Sequence, residues 1–178
     1  MTWTSSWAPR ALVAPAAAAT LLFAGAVAAT AAPATGGDPA MAAQDAAGNG
    51  WSAVGYFYTA LSTGDAGLMA DAVDQDWTDV PSHPGLGTGV AGAEQLVGEI
   101  RSVFPDLTEN ITAVSRGGDR VHVSLLHCGT HSAEFAGVPA TYKYVCFRGE
   151  ETHTITHGLI STTEHWEDID QFRKEVGA

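Results

Sequence analysis

The residues of this chain best able to do chemistry are its histidines and the carboxylates beside them. There are seven histidines in 178 residues, and His165 stands between Glu164 and Trp166 in a strand-like run. A histidine, with an ordinary pKa of about 6.5, exchanges protons close to neutral pH and suits general acid–base work. Side chains alternate across a strand, so His165 and Glu164 point to opposite faces and only one of them can line an interior. These two are the candidate catalytic residues. His127 and His131 lie four apart in another strand-like run. That spacing holds a metal from a helix, not from a strand, so no metal site is expected. Neither a GxSxG elbow nor a glycine-rich phosphate loop occurs, so serine-hydrolase and nucleotide chemistry are disfavoured. No cofactor is expected.

The elements that would position these groups can be read from periodicity. Trp51 to Thr63 carries Val54, Phe57, Tyr58 and Leu61 at helical spacing, and a second helix is expected over Ala66 to Val73. Trp77 to Val80 reads as extended, and Pro81 to Gly85 as a loop. A third helix is expected from Ala93 to Phe104, where Pro105 stops it. The remainder is strand-like. Thr108 to Ser115 is one run. Val121 to Glu134 reads as a long bent strand with a bulge at Gly129. Tyr142 to Phe147 returns after the Pro139 turn. Thr152 to Trp166 supplies one or two further strands, and Asp168 to Val176 a closing helix. Helices followed by antiparallel strands argue an α+β class. Trp77, Phe57 and Trp166 serve either as core or as the wall of an apolar pocket.

Residues 1–32 carry one positive charge, Arg10, then an alanine-rich apolar run that ends in Ala29-Thr30-Ala31-Ala32-Pro33. This reads as a secretory signal cleaved near Ala32. Residues 33–49 are poor in large apolar groups and read as a flexible linker, leaving residues 50–178 as one folded domain. Export makes the chain secreted, with no membrane contact after signal cleavage. It also allows Cys128 and Cys146 to form a disulfide, the alternative being two packed thiols. The formal charge of −12 comes with only eight basic residues, which argues against nucleic acid as a partner.

Several short islands then point to a family. Phe104-Pro105-Asp106-Leu107, Gly118-Asp119-Arg120-Val121, Gly129-Thr130-His131, Gly137-Val138-Pro139-Ala140-Thr141 and Glu164-His165-Trp166 with Asp170 occur in that order. Together they resemble the SnoaL-like polyketide cyclases (ester cyclases) of the nuclear transport factor 2-like superfamily. The chain departs from the family pattern at Ala140, and in having five residues, Leu159 to Thr163, between Gly158 and Glu164. The resemblance implies a cone in which three helices pack in a curved antiparallel sheet enclosing a pocket. It implies a small apolar carbonyl compound as partner, and side-chain proton transfer of the cyclase or isomerase type without metal or cofactor. It also admits a homodimer. The family's acid–base aspartate falls at His165 here, and His83 falls in a loop near the expected cavity mouth. His83, Trp77, Phe57, His131 and Trp166 are the candidate substrate-binding residues, although His131 equally suits a structural tie at the strand bend. The alternative is a small-ligand-binding module of the same fold that does no chemistry. A convergent titratable cluster in the pocket favours the enzyme, and a purely apolar pocket the module.

Overall fold

The computed structural model describes residues 50–178; the expected signal peptide and linker lie outside the described residues. The chain opens with α1 (Trp51–Thr63), whose buried stripe of Val54, Phe57, Tyr58 and Leu61 follows the helical period. Gly64, left-handed at φ 79°, ends it by returning its N–H to the Ala60 carbonyl. The expected second helix is shorter than its pattern suggests. A 3-10 turn (Ala66–Leu68) leads into α2 (Met69–Ala72), and Val73 already begins a strand. Its β-branched side chain is buried opposite Ile160.

The strands are β1 (Val73–Val80), β2 (Thr108–Gly117), β3 (Arg120–Thr130), β4 (Tyr144–Thr156) and β5 (Leu159–Glu167), with α3 (Gly89–Val103) after β1 and α4 (Ile169–Val176) closing the chain. They form one five-stranded sheet in the order β1-β5-β4-β3-β2. The pairing is antiparallel except at one edge, where β1 runs parallel to β5. The result is the expected α+β cone, with the inner sheet face packed on the helices.

The family islands become joints of this scaffold. Phe104 packs its ring among Phe135, Phe147, Phe172 and His131. Asp106 turns back to accept hydrogen bonds from the Thr130 N–H at 2.6 Å and the Thr130 hydroxyl at 2.7 Å. These bonds hold the Asp106 carboxyl below its ordinary value. Gly129 makes no bulge in the β3–β4 ladder, contrary to expectation. A Cβ there would lie 3.1 Å from that of Phe104, so the glycine instead admits the Phe104–Leu107 turn. β3 also ends at Thr130 rather than Glu134.

The two additional residues before Glu164 have a clear geometry. His157 and Gly158, both at positive φ (52° and 88°), make the β4–β5 turn. The ladder then shifts by one residue between the Ile155–Ile160 and Thr154–Thr162 pairs, leaving Ser161 bulged. From Thr162 onward the register is regular, which fixes Thr163, His165 and Glu167 on the inner face. Cys128 and Cys146 sit directly opposite on β3 and β4 and are joined as a disulfide.

Candidate active site

Inward positions on all five strands converge on one small cavity between the sheet and helices α1 and α3. Its helical wall is apolar: Phe57 and Leu61 from α1, Leu96 and Ile100 from α3. Its sheet wall is titratable: Asp79 of β1, Glu109 of β2, His127 of β3, Glu151 of β4, and Thr163, His165 and Glu167 of β5. The cavity measures about 60 Å³, far below the several hundred Å³ of a pocket that swallows a drug-sized ligand. It accommodates the reacting end of a molecule rather than a whole ring system.

His165 is the best-determined group. Its Nδ1 lies 2.7 Å from Glu167 Oε1, and its Nε2 3.1 Å from the Pro81 carbonyl and 3.2 Å from Asp79 Oδ2. Both ring nitrogens face acceptors, so both carry protons and the ring is an imidazolium. Burial alone would lower its pKa, but the hydrogen bonds and charges of Asp79 and Glu167 outweigh that and push it up to about 11. Burial would likewise raise the Glu167 carboxyl, yet the His165 contact holds it below its usual value. His165 is thus a fixed positive charge at neutral pH rather than the proton shuttle its ordinary pKa suggests.

His127 makes the second such pair. Its Nδ1 is 2.8 Å from Glu109 Oε2. Burial lowers its pKa, but Glu109 more than compensates and takes it to about 9. Glu151, also buried, stands apart from both pairs. It accepts the Tyr58 hydroxyl at 3.0 Å, and the nearest histidine nitrogen, His153 Nε2 at 3.5 Å, belongs to a neutral ring. Burial dominates, helped by the Glu109 charge and opposed by His127, His165 and the Tyr58 hydrogen bond, and raises its pKa to about 7. Behind it, outside the cavity lining, His153 is fully buried and is lowered by that burial to about 3, so its ring is neutral. Among the described residues no group of three or more His, Cys, Asp or Glu side chains is arranged to hold a metal ion.

The sequence-based candidates therefore separate. His165 and Phe57 line the cavity. Glu164 does not: it falls one residue out of phase, on the outer sheet face, and pairs with Arg120 there. Trp166 shares that face and is 54% exposed. His83 is bound to Glu99 of α3 at 2.8 Å in the loop beyond β1, away from the lining. His131 is wholly buried between Phe104 and Phe172 with Nδ1 3.1 Å from the Thr141 hydroxyl, a structural tie and not a cavity residue. Trp77 is core, its indole N–H donating to Thr163 at 3.0 Å. Asp79, Glu109, Glu151 and Glu167 were not among the sequence-based candidates, and His127, weighed there only as a metal ligand, also lines the cavity. Alternation along β3 and β4 carries the signal. Val121, Val123, Leu125 and His127 share one face, as do Val145, Phe147, Gly149, Glu151, His153 and Ile155.

A family model described as SnoaL-like polyketide cyclase matches residues 52–174. The chain belongs to this family. Solved structures of the same fold include TsrD from Streptomyces laurentii, 18% identical with a TM-score of 0.66 over 79% of this chain and 98% of that one. A SnoaL-like polyketide cyclase from Agrobacterium tumefaciens is 16% identical, with a TM-score of 0.60 over 70% of this chain and 94% of its own. TerC, co-crystallised with polyporic acid, is 17% identical with a TM-score of 0.57, covering 73% and 99% respectively. A search of curated proteins gives no match. At these identities the solved structures of this SnoaL-like chain's neighbours speak for its fold.

Proposed function

We propose that this chain is an exported SnoaL-like domain that takes up the carbonyl end of a small, largely apolar compound and moves a proton on the carbon beside the carbonyl. Glu151 is the acid–base group. In its ionised form it removes the α-proton, and the electron pair passes into the carbonyl as an enolate. The protonated acid then returns the proton, to another carbon in an isomerisation or to the new alkoxide in an aldol closure. The His165 imidazolium, held by Asp79 and Glu167, supplies a fixed positive field for the enolate charge.

One observation carries this reading: of the four carboxylates around the cavity, three contact a charged histidine, whereas the histidine beside Glu151, His153 at 3.5 Å, is neutral. A buried carboxylate without a cation sits near neutrality in both forms, which is what a general acid–base needs. The apolar helical wall supports a ligand whose remainder is hydrocarbon. The polyporic acid held by TerC, a neighbour in fold, supports a small organic ligand.

The test is α-proton exchange. Cyclic ketones incubated with the protein in D2O are followed by NMR for wash-in of deuterium. Exchange should rise with a midpoint of about 7 and fall by about a hundredfold or more in Glu151→Gln. Exchange unchanged by that substitution would overturn the assignment. Saturable ketone binding with no exchange at any pH would favour the module that binds without reacting.

A further inference from the structure

Behind Glu151 runs a line of buried polar groups that the reaction itself does not use. The Trp77 indole Nε1 lies 3.0 Å from Thr163 Oγ1. Thr163 Oγ1 lies 3.1 Å from His153 Nδ1. His153 Nε2 lies 2.9 Å from the Tyr58 hydroxyl, and that hydroxyl lies 3.0 Å from Glu151 Oε2. All five are buried, and Trp77, His153 and Tyr58 lie outside the cavity lining, so their hydrogen bonds are completed within the protein; Thr163 and Glu151 also touch the cavity.

The chemistry of the end members sets the direction of the whole line. An indole N–H can only donate, so Thr163 Oγ1 accepts from Trp77. The threonine hydrogen then has one partner among its contacts, His153 Nδ1, which must accept. His153 is neutral, so its remaining proton is on Nε2 and is donated to the Tyr58 oxygen. The Tyr58 hydrogen goes on to Glu151 Oε2. Every donor and acceptor in the line is used once in this sense. The reverse sense, with His153 protonated on Nδ1, leaves the Thr163 hydroxyl hydrogen with no protein acceptor among its contacts, which is disfavoured.

We propose that Trp77, Thr163, His153 and Tyr58 form a one-directional hydrogen-bond chain that fixes His153 as its Nε2–H tautomer and places one donor on Glu151 Oε2. The consequence is regiochemical. Oε2 is occupied from behind, so the proton that Glu151 gains or loses sits on Oε1, the oxygen left for the cavity. The four are positioning residues acting through Glu151. The chain is not a proton wire, because it ends at an indole N–H that does not ionise. This assignment rests on the Glu151 reading for its functional consequence, but the tautomer does not. The charged groups facing Glu151 from neighbouring elements are Glu109, His127 and His165.

Long-range 1H–15N correlation spectra of histidine-labelled protein test it, with His153→Phe for assignment. The expected spectrum shows His153 neutral and protonated on Nε2 throughout pH 5 to 8. The Nδ1–H form, or an imidazolium at pH 6, overturns the proposal. Thr163→Val, which keeps shape and removes the hydroxyl, should release the tautomer and slow α-proton exchange by roughly tenfold through the rate and not the KM, whereas Thr163→Ser should restore both. Thr163→Val with an unmoved tautomer also overturns it. Should Thr163→Val fail to fold, the native spectrum and the serine variant still decide. A correct tautomer in a protein that exchanges no ketone leaves the chain standing and removes only the reaction.

Discussion

Tyr58→Phe isolates the joint between the scaffold and the reacting carboxylate. The substitution keeps the ring, which packs edge-on to Phe57 at 5.5 Å and to His153 at 5.6 Å, and deletes only the hydroxyl. Two buried groups then lose a partner: Glu151 Oε2, which had accepted at 3.0 Å, and His153 Nε2, at 2.9 Å. A buried polar group left unsatisfied costs ~1–3 kcal/mol. The two share one hydroxyl and are not independent, so the sum is roughly 2–4 kcal/mol. That is a large part of the ~5–15 kcal/mol that holds a domain of this size, and lowers its melting temperature by roughly 10 °C. Urea denaturation at pH 7 measures it, with an unchanged slope showing that the denatured state is comparable. Thr59→Ala, one residue along on the exposed side with its hydroxyl on the Gly55 carbonyl, is the control and should cost less than about 0.5 kcal/mol. The same variant has a second signature. The Tyr58 hydrogen bond lowers the Glu151 pKa, so its loss moves the midpoint of α-proton exchange upward from about 7. A Tyr58→Phe protein as stable as the parent, with an unshifted profile, would refute the reasoning.

Two more outcomes follow from the same structure. His153 has a folded pKa of about 3, depressed from its ordinary value, so its contribution to stability is full above about pH 6.5 and is lost as pH falls toward 3. The stability difference between parent and His153→Phe should therefore shrink by about 1.4 kcal/mol per pH unit from pH 6 to 4, read from denaturation curves at each pH. Removing the Cys128–Cys146 disulfide, which closes a loop between residues 18 apart in sequence, should cost about 3 kcal/mol in a paired Cys→Ser variant, again by denaturation.

The scaffold was legible where its joints are local. Pro105 stops a helix, as its position predicts, whereas the tie of Asp106 to Thr130 spans 24 residues and emerges only in the fold. The parallel β1–β5 edge was not legible, since nothing in either strand's pattern states its neighbour's direction. The site was half legible. Strand alternation forced a choice between His165 and Glu164, but the two additional residues before Glu164 hid which one faces inward until the Ser161 bulge fixed the phase. The role of His165 was out of reach for a different reason. Its charge comes from Asp79, 86 residues earlier in the chain, and from Glu167, and a pairing across the sheet has no trace in local sequence. Glu151 and His127 did leave a trace, as ionisable residues on the apolar face of otherwise regular strands.

The central claim is that Glu151 carries an exchangeable proton in the cavity near neutral pH. Titration of 13Cδ-labelled glutamate by NMR tests it without any ligand. One carboxyl resonance should titrate at about 7 and be missing from the Glu151→Gln spectrum. If every glutamate titrates below about pH 5, or the substitution removes no resonance near neutrality, Glu151 is an ordinary carboxylate and the acid–base account is wrong.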